Sequence, residues 1–124
     1  MKFLCLVVCE EKKLDALSQE EMQSLIDESL AYDQFLREGR HLIAAQALQR
    51  VSDATTLRIR NQKVSKTDGP FAETKEQVGG FILIEAKDRN EAIRLASKIP
   101  SIRFGCIEVR PIMELTPTSS QKEG

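Results

Sequence analysis

Asp68 is the acid whose neighbours best equip it for chemistry, because it opens the string Asp68-Gly69-Pro70-Phe71. Gly takes positive φ freely, while Pro fixes its own φ and pushes the residue before it out of the helical region. A carboxylate held by such a turn can keep one geometry, either as a general base or as a hydrogen-bond acceptor for a ligand. It can equally serve the turn alone by accepting from backbone N–H groups. His41, the one histidine, follows Gly39-Arg40 and opens an apolar run, which puts it at a sheet edge as the second candidate catalytic group. Candidate ligand contacts are Gly69, Pro70 and Phe71 of the turn, Tyr32 on a helix, and Arg58 on the polar side of a strand. Phe71 is expected in the core or in a pocket wall, and Gly79-Gly80 at a bulge or a close strand contact.

Other chemistries lack their residues. There is no Gly-rich phosphate loop, no nucleophile elbow and no Cys-x-x-Cys pair, so neither a cofactor nor a structural metal is expected. Cys5, Cys9 and Cys106 all lie in apolar runs and read as reduced, buried thiols. Eighteen basic against nineteen acidic residues give a net charge of −1, so no field draws in nucleic acid or anionic lipid. The apolar start, Lys2 to Cys9, runs into Glu10-Glu11 without a small-residue cleavage site, and no run approaches the roughly 20 residues of a membrane-spanning helix. The expectation is a cytoplasmic protein with no membrane partner.

These residues must be positioned by a short list of elements. Met1 to Cys9 is apolar on both alternating faces, as is Phe81 to Ile84 within a strand from Val78 to Ala86, so both are strands buried on two sides. Ser18 and Glu21 form a capping box that starts a helix whose apolar positions are Met22, Leu25, Ile26, Leu30 and Leu36. Asp27, Glu28, Asp33 and Arg37 are assigned to its surface, and Gly39 is its C′ stop. His41 to Leu48 is a short apolar segment. Thr55 to Arg60 alternates, with Leu57 and Ile59 on one face, and Asn61-Gln62 turns it back into Lys63 to Lys66. A second helix opens at Asp88 with Glu91 in the capping-box position and ends at Pro100. Phe104 to Met113 is the last strand.

The order is β-α-β, an inserted β-hairpin, then β-α-β: an α+β chain with a ferredoxin-like βαββαβ plan. One domain spans residues 1–115, and 116–124 is a polar tail with nothing to bury. In such a sheet the first and third core strands are central, and two helices cover one face only. The other face calls for a second copy of the chain, making a homodimer, unless the hairpin folds over it.

The string from Asp68 through Ala72-Glu73-Thr74-Lys75-Glu76-Gln77 to Gly79-Gly80 resembles the DGPF family of the YCII-related superfamily. The likeness reaches to about Met113 and includes Ser18-Gln19-Glu20-Glu21-Met22, Thr55 to Arg60, Ile99-Pro100, and Glu108-Val109-Arg110-Pro111. It implies a dimeric α+β barrel with a cleft beside the motif, a barrel shared with muconolactone isomerases and some ring-modifying enzymes. In the wider group a His–Asp pair has been proposed as the active site, and one relative acts on a chlorinated hydroxyhydroquinone. Here the first helix has no histidine, so Asp68 is the counterpart acid and His41 lies past the helix. Some DGPF proteins also resemble products encoded beside extracytoplasmic-function sigma factors, which implies a sigma-factor-linked accessory role. Two functions are therefore expected: a dimeric module binding a small molecule or a protein, or a cofactor-independent lyase-, isomerase- or hydrolase-like enzyme with Asp68 as base.

Overall fold

The computed structural model describes residues 1–118. In chain order the elements are β1 (Lys2–Cys9), α1 (Glu11–Asp15), α2 (Gln19–Glu38), β2 (Leu42–Ala47), β3 (Thr55–Arg60), β4 (Lys63–Asp68), β5 (Gln77–Glu85), α3 (Arg89–Ala96) and β6 (Gly105–Pro111). Four strands form an antiparallel sheet in the order β2-β5-β1-β6, with the two-face-apolar strands in the middle, and β3 and β4 pair as a separate hairpin. This is the ferredoxin-like α+β plan with its inserted hairpin. Short α1 is an addition that the sequence pattern did not signal. Of the tail expected over 116–124, residues 119–124 lie outside the described residues.

Cross-strand register assigns the faces. Phe3, Cys5 and Val7 lie opposite Ile84, Ile82 and Gly80 on β5, and opposite Pro111, Val109 and Ile107 on β6. Phe3, Cys5, Ile82 and Ile84 join Leu36 of α2 and Ala92, Leu95 and Ala96 of α3 in the core. Burying a residue such as Phe3 contributes about 1.5–3 kcal/mol, so this helix-covered face carries most of the fold's apolar stabilisation. The reverse face carries Leu4, Leu6, Val8, Leu83 and Phe81, none of which joins that core.

Local chemistry sets the helix ends. Ser18 Oγ accepts from the Glu21 N–H at 3.1 Å and Glu21 reaches back to the Ser18 N–H at 2.8 Å, a reciprocal cap worth about 1 kcal/mol. At α3, Asp88 accepts from the Glu91 N–H, but Glu91 reaches the Lys87 N–H, one residue earlier than the expected box. The α2 stop also differs from expectation. Arg40, at φ 63°, is the left-handed residue, and the His41 N–H closes onto the Leu36 carbonyl at 2.8 Å as in a Schellman ending. A Cβ at Gly39 would stand 3.0 Å from the His41 ring, so the ring would have to give slightly to admit a larger residue.

The hairpin turns at Asn61 and Gln62, both at positive φ, as a two-residue type I′ connection requires. Its register puts Leu57, Ile59 and Val64 on one side, and they stay exposed, Ile59 by 76%. The hairpin therefore does not bury its apolar side on its own chain, and the reverse face of the sheet keeps no cover from it.

Candidate functional site

A cavity of about 470 Å³ opens between α2 and the end of the sheet where β1 leaves and β5 enters. The size suits a small organic molecule. Helix α2 supplies Met22, Ile26, Ser29 and Asp33, spaced i, i+4, i+7 and i+11 and hence on one side of the helix. The floor comes from Val7 and Cys9 of β1, Ala45 and Ala47 of β2, and the Gly79-Gly80 pair of β5. Apolar side chains left exposed, Ile26 by 42%, Leu30 by 61% and Leu48 by 52%, gather at this opening. Leu30, expected in the core, is thus at the cavity instead.

The two glycines have separate reasons. Between the pairs Val7–Gly80 and Val8–Val78 the register shifts, which makes Gly79 the extra residue of a β-bulge. Gly80 is needed for close approach, because a Cβ would lie 2.9 Å from the Gln46 carbonyl of β2. Both expectations for the pair, bulge and close contact, are met, one at each residue.

A strap borders the cavity, to which it contributes Gln49 and Arg50. Arg50 forks onto Asp15 through two 2.6 Å hydrogen bonds and the Val51 N–H donates to Glu11 at 2.9 Å, so the segment after β2 is tied to α1. The Arg50 hydrogen bond holds the Asp15 carboxyl below its usual range. Tyr32 lines the inner wall, stacks on Phe35, and donates its hydroxyl to the Leu95 carbonyl at 2.5 Å. That bond cross-ties α2 to α3 and commits the hydroxyl.

Asp33 is different. It is partly buried on the cavity side of α2, and its carboxyl enters no hydrogen bond or ion pair among the described residues. Burial pushes its pKa up, with nearby Arg37 opposing. A part-buried acid with no hydrogen-bond or ion-pair partner, at the wall of an apolar hollow and with a raised pKa, is a candidate functional carboxyl. Asp33 is expected on the outer surface of the helix from its charge, and it lies instead half-buried on the cavity side. The available signal was its helical spacing from Met22, Ile26 and Ser29.

The residues singled out from sequence lie elsewhere. Asp68 ends β4, exposed, and its carboxylate has no partner among the described residues. The turn is made by its neighbours: Gly69 takes φ 101°, its N–H donates to the Ala54 carbonyl at 2.7 Å, and its carbonyl accepts from Thr56 at 2.8 Å. Pro70 is half-buried beside it. Phe71 is 79% exposed rather than in core or pocket wall, and its carbonyl accepts from Arg58 at 3.2 Å. Asp68, Gly69, Pro70, Phe71 and Arg58 therefore share the base of the hairpin, and none lines the cavity, whereas Tyr32 does. His41 sits beside the Glu85 end of β5, with Nδ1 2.8 Å from the Glu85 carbonyl, whereas the motif enters β5 at Gln77, the opposite end of the strand.

The rest of the motif builds structure. Gln77 donates to the Ala72 and Thr74 carbonyls, and Thr74 donates to the Glu76 carbonyl, which closes the loop before β5. Lys75, expected on a solvated face, is exposed, yet it pairs at 3.3 Å with Glu10, a carboxylate only 8% accessible. Lys13 completes the clamp at 2.7 Å, and its hydrogen bond is the main reason the Glu10 pKa is lowered. Cys5 and Cys9 are free, and burial raises both thiols, Cys5 to about 11, so neither is a ready nucleophile. Cys106 is exposed, contrary to expectation. Among the described residues no cluster of His, Cys, Asp or Glu could hold a metal, and no helix is long and apolar enough to cross a membrane.

Fold and cavity together define a ferredoxin-like α+β domain with a ligand-sized hollow under its long helix. Residues 1–116 match the YCII-related domain, and the chain belongs to that family. It is 32% identical over 119 residues to an uncharacterized protein of Rhizobium meliloti (strain 1021), covering 94% of this chain and 96% of that one. It is also similar to 5-chloro-2-hydroxyhydroquinone dehydrochlorinase from Burkholderia phenoliruptrix, solved in complex with 2,5-dihydroxybenzoquinone, at 18% identity and a TM-score of 0.47 over 92% of this chain and 95% of that one.

Proposed function

We propose that this YCII-related protein is a homodimeric module that binds a small molecule in the cavity beneath α2. The observation that carries the reading is Asp33, an unpartnered, part-buried carboxyl on the wall of a 470 Å³ apolar hollow. A folded chain gains nothing by leaving an acid there, whereas a ligand donor would compensate it. Titration with a library of ring-containing fragments, followed through backbone amide shifts, tests this. Binders are expected to move α2 and the start of β5, and Ser29→Trp, which fills the hollow, is expected to abolish the shifts. Binding unchanged by Ser29→Trp would count against the cavity as the site.

The dimer reading rests on the reverse face of the sheet. Leu4, Leu6, Val8, Phe81 and Leu83 make the centre of this face apolar and only half-buried, with Glu108 and Arg110 on its β6 edge and Gln46 on its β2 edge, and a two-fold copy of the same surface is its most economical cover. Light scattering at micromolar concentration is expected to give twice the 14.0 kDa chain mass, and Leu6→Glu to give the single-chain mass. A native monomer would refute the dimer while leaving the cavity reading standing.

A second reading, a cofactor-independent enzyme of lyase, isomerase or hydrolase type, is supported by the direction of the Asp33 shift, because raising a carboxyl toward neutrality improves it as a general base. Asp68 stays the second candidate base, exposed and unpartnered at the end of β4. A sigma-factor-linked role rests on the family resemblance alone. Free, buried thiols at Cys5 and Cys9 suit a reducing, cytoplasmic setting.

A further inference from the structure

We infer that the cavity discriminates by charge: it takes a ring-sized apolar molecule that is neutral or carries a protonated amine, donates to Asp33, and rejects carboxylates and phosphates of the same size. The inference rests on the cavity being the ligand site and adds the chemical class of what enters it.

Arg50 is the one cation among the lining residues, and its guanidinium is already spent on Asp15 through two hydrogen bonds, with Glu11 a further 3.9 Å contact. Glu11 and Asp33 are the lining acids. With Asp15 and Arg37 included, the latter acting on Asp33 from just outside the lining and donating to Gln34 at 2.6 Å, three carboxyls face two guanidiniums around this hollow. A ligand anion would meet no unpaired cation among the lining residues and would be placed against Asp33 in a medium less polar than water, where like charges repel more strongly.

The neutral polar groups point the same way. The Tyr32 hydroxyl donates to Leu95 and the Gln77 amide donates to Ala72 and Thr74, so neither has a donor pointed at the hollow by default. What remains for an anion is weak: the hydroxyls of Ser29 and Ser101 and the amides of Gln46 and Gln49. For a donor the wall offers a part-buried carboxyl with both oxygens unclaimed. An O–H or N–H⁺ bonded to that carboxylate makes a charge-assisted contact inside an apolar wall. The remainder of the recognition is burial of a ring against Val7, Met22, Ile26 and Ala45.

Three probes of matched shape test this on the full chain: 2-naphthylmethylamine, 2-naphthylmethanol and 2-naphthoate, titrated at pH 7 and followed by amide shifts of the cavity residues. The amine and the alcohol are expected to bind at least tenfold more tightly than the carboxylate. Asp33→Asn is expected to bring the three within about threefold of one another, and Asp33→Lys to reverse the order. Carboxylate binding in the cavity as tight as the amine's would overturn the charge inference and leave the cavity reading intact. Absence of cavity shifts with all three probes would overturn both. A native preference that survives Asp33→Asn unchanged would also overturn the inference, since the selectivity would then come from elsewhere.

Discussion

Gly105→Ala is expected to cost about 3 kcal/mol or more, and to be the most damaging single-methyl addition at the sheet's glycines. The reason is distance rather than backbone conformation. Gly105 is extended at φ 172°, which any residue adopts, but a Cβ there would fall 1.9 Å from the Val8 carbonyl oxygen and 2.9 Å from Cys9 Cα. Both obstacles are backbone, so no rotamer change relieves the overlap. β1 or β6 must move, and the movement falls where Cys9 pairs with Gly105 and the Glu10 N–H bonds the Phe104 carbonyl at 3.0 Å. Urea denaturation of an alanine series orders the sites. Gly105 should lose most. Gly80, whose Cβ would meet the Gln46 carbonyl at 2.9 Å on an edge strand, should lose less. Gly79, with nothing nearer than 3.9 Å, should lose least. A Gly105→Ala protein within 0.5 kcal/mol of native would contradict the packing of β6 on β1 described above.

This glycine also marks the limit of what the sequence can be read for. Strands apolar on both faces, Phe3 to Cys9 and Phe81 to Ile84, announce the centre of a sheet, and they are central. Ser18 with Glu21 announces a helix start through side-chain chemistry confined to four residues. Asn61-Gln62 turns the hairpin as expected, for an equally local reason. The demand on Gly105 comes from Val8, almost a hundred residues away, and no local pattern carries it. The cavity is hidden for a related cause. Helical spacing groups Asp33 with Met22, Ile26 and Ser29, but periodicity does not say whether a helix side meets packed core, solvent or a hollow between them. Charge alone puts Asp33 outside and apolarity alone puts Leu30 inside; an open cavity reverses both. The motif has a structural role as well. It closes a loop through Thr74 and Gln77, pairs Glu10 with Lys75, and leaves Asp68 exposed at the end of β4, an arrangement that its length and composition do not spell out.

Asp33→Asn is expected to strengthen the fold while weakening ligand binding, and that pairing separates a functional acid from a structural one. Asparagine has nearly the same shape and stays neutral at every pH. In the native chain, burial raises the Asp33 pKa above its ordinary 3.8. A carboxyl so raised is no burden below the unfolded value, where it is protonated in both states. As pH rises through the raised folded value, the folded state must ionise it at a cost, and stability falls relative to the neutral variant. The two proteins should therefore be about equally stable at pH 3, with the variant ahead at pH 7. Partial solvent access screens the charge, so the gain is modest, on the order of 0.5 kcal/mol or roughly 2 °C in Tm. Binding should move the other way. Removing the charged acceptor is expected to weaken any donor-bearing cavity ligand by about ten- to a hundredfold, the usual worth of a hydrogen bond to a charged group. A structural Asp33 would give a less stable variant at pH 7, because its loss would remove a contact. Thermal melts at the two pH values and one ligand titration decide between these outcomes, and the decision bears on the acid that lines the hollow, independently of whether the ligand is bound or turned over.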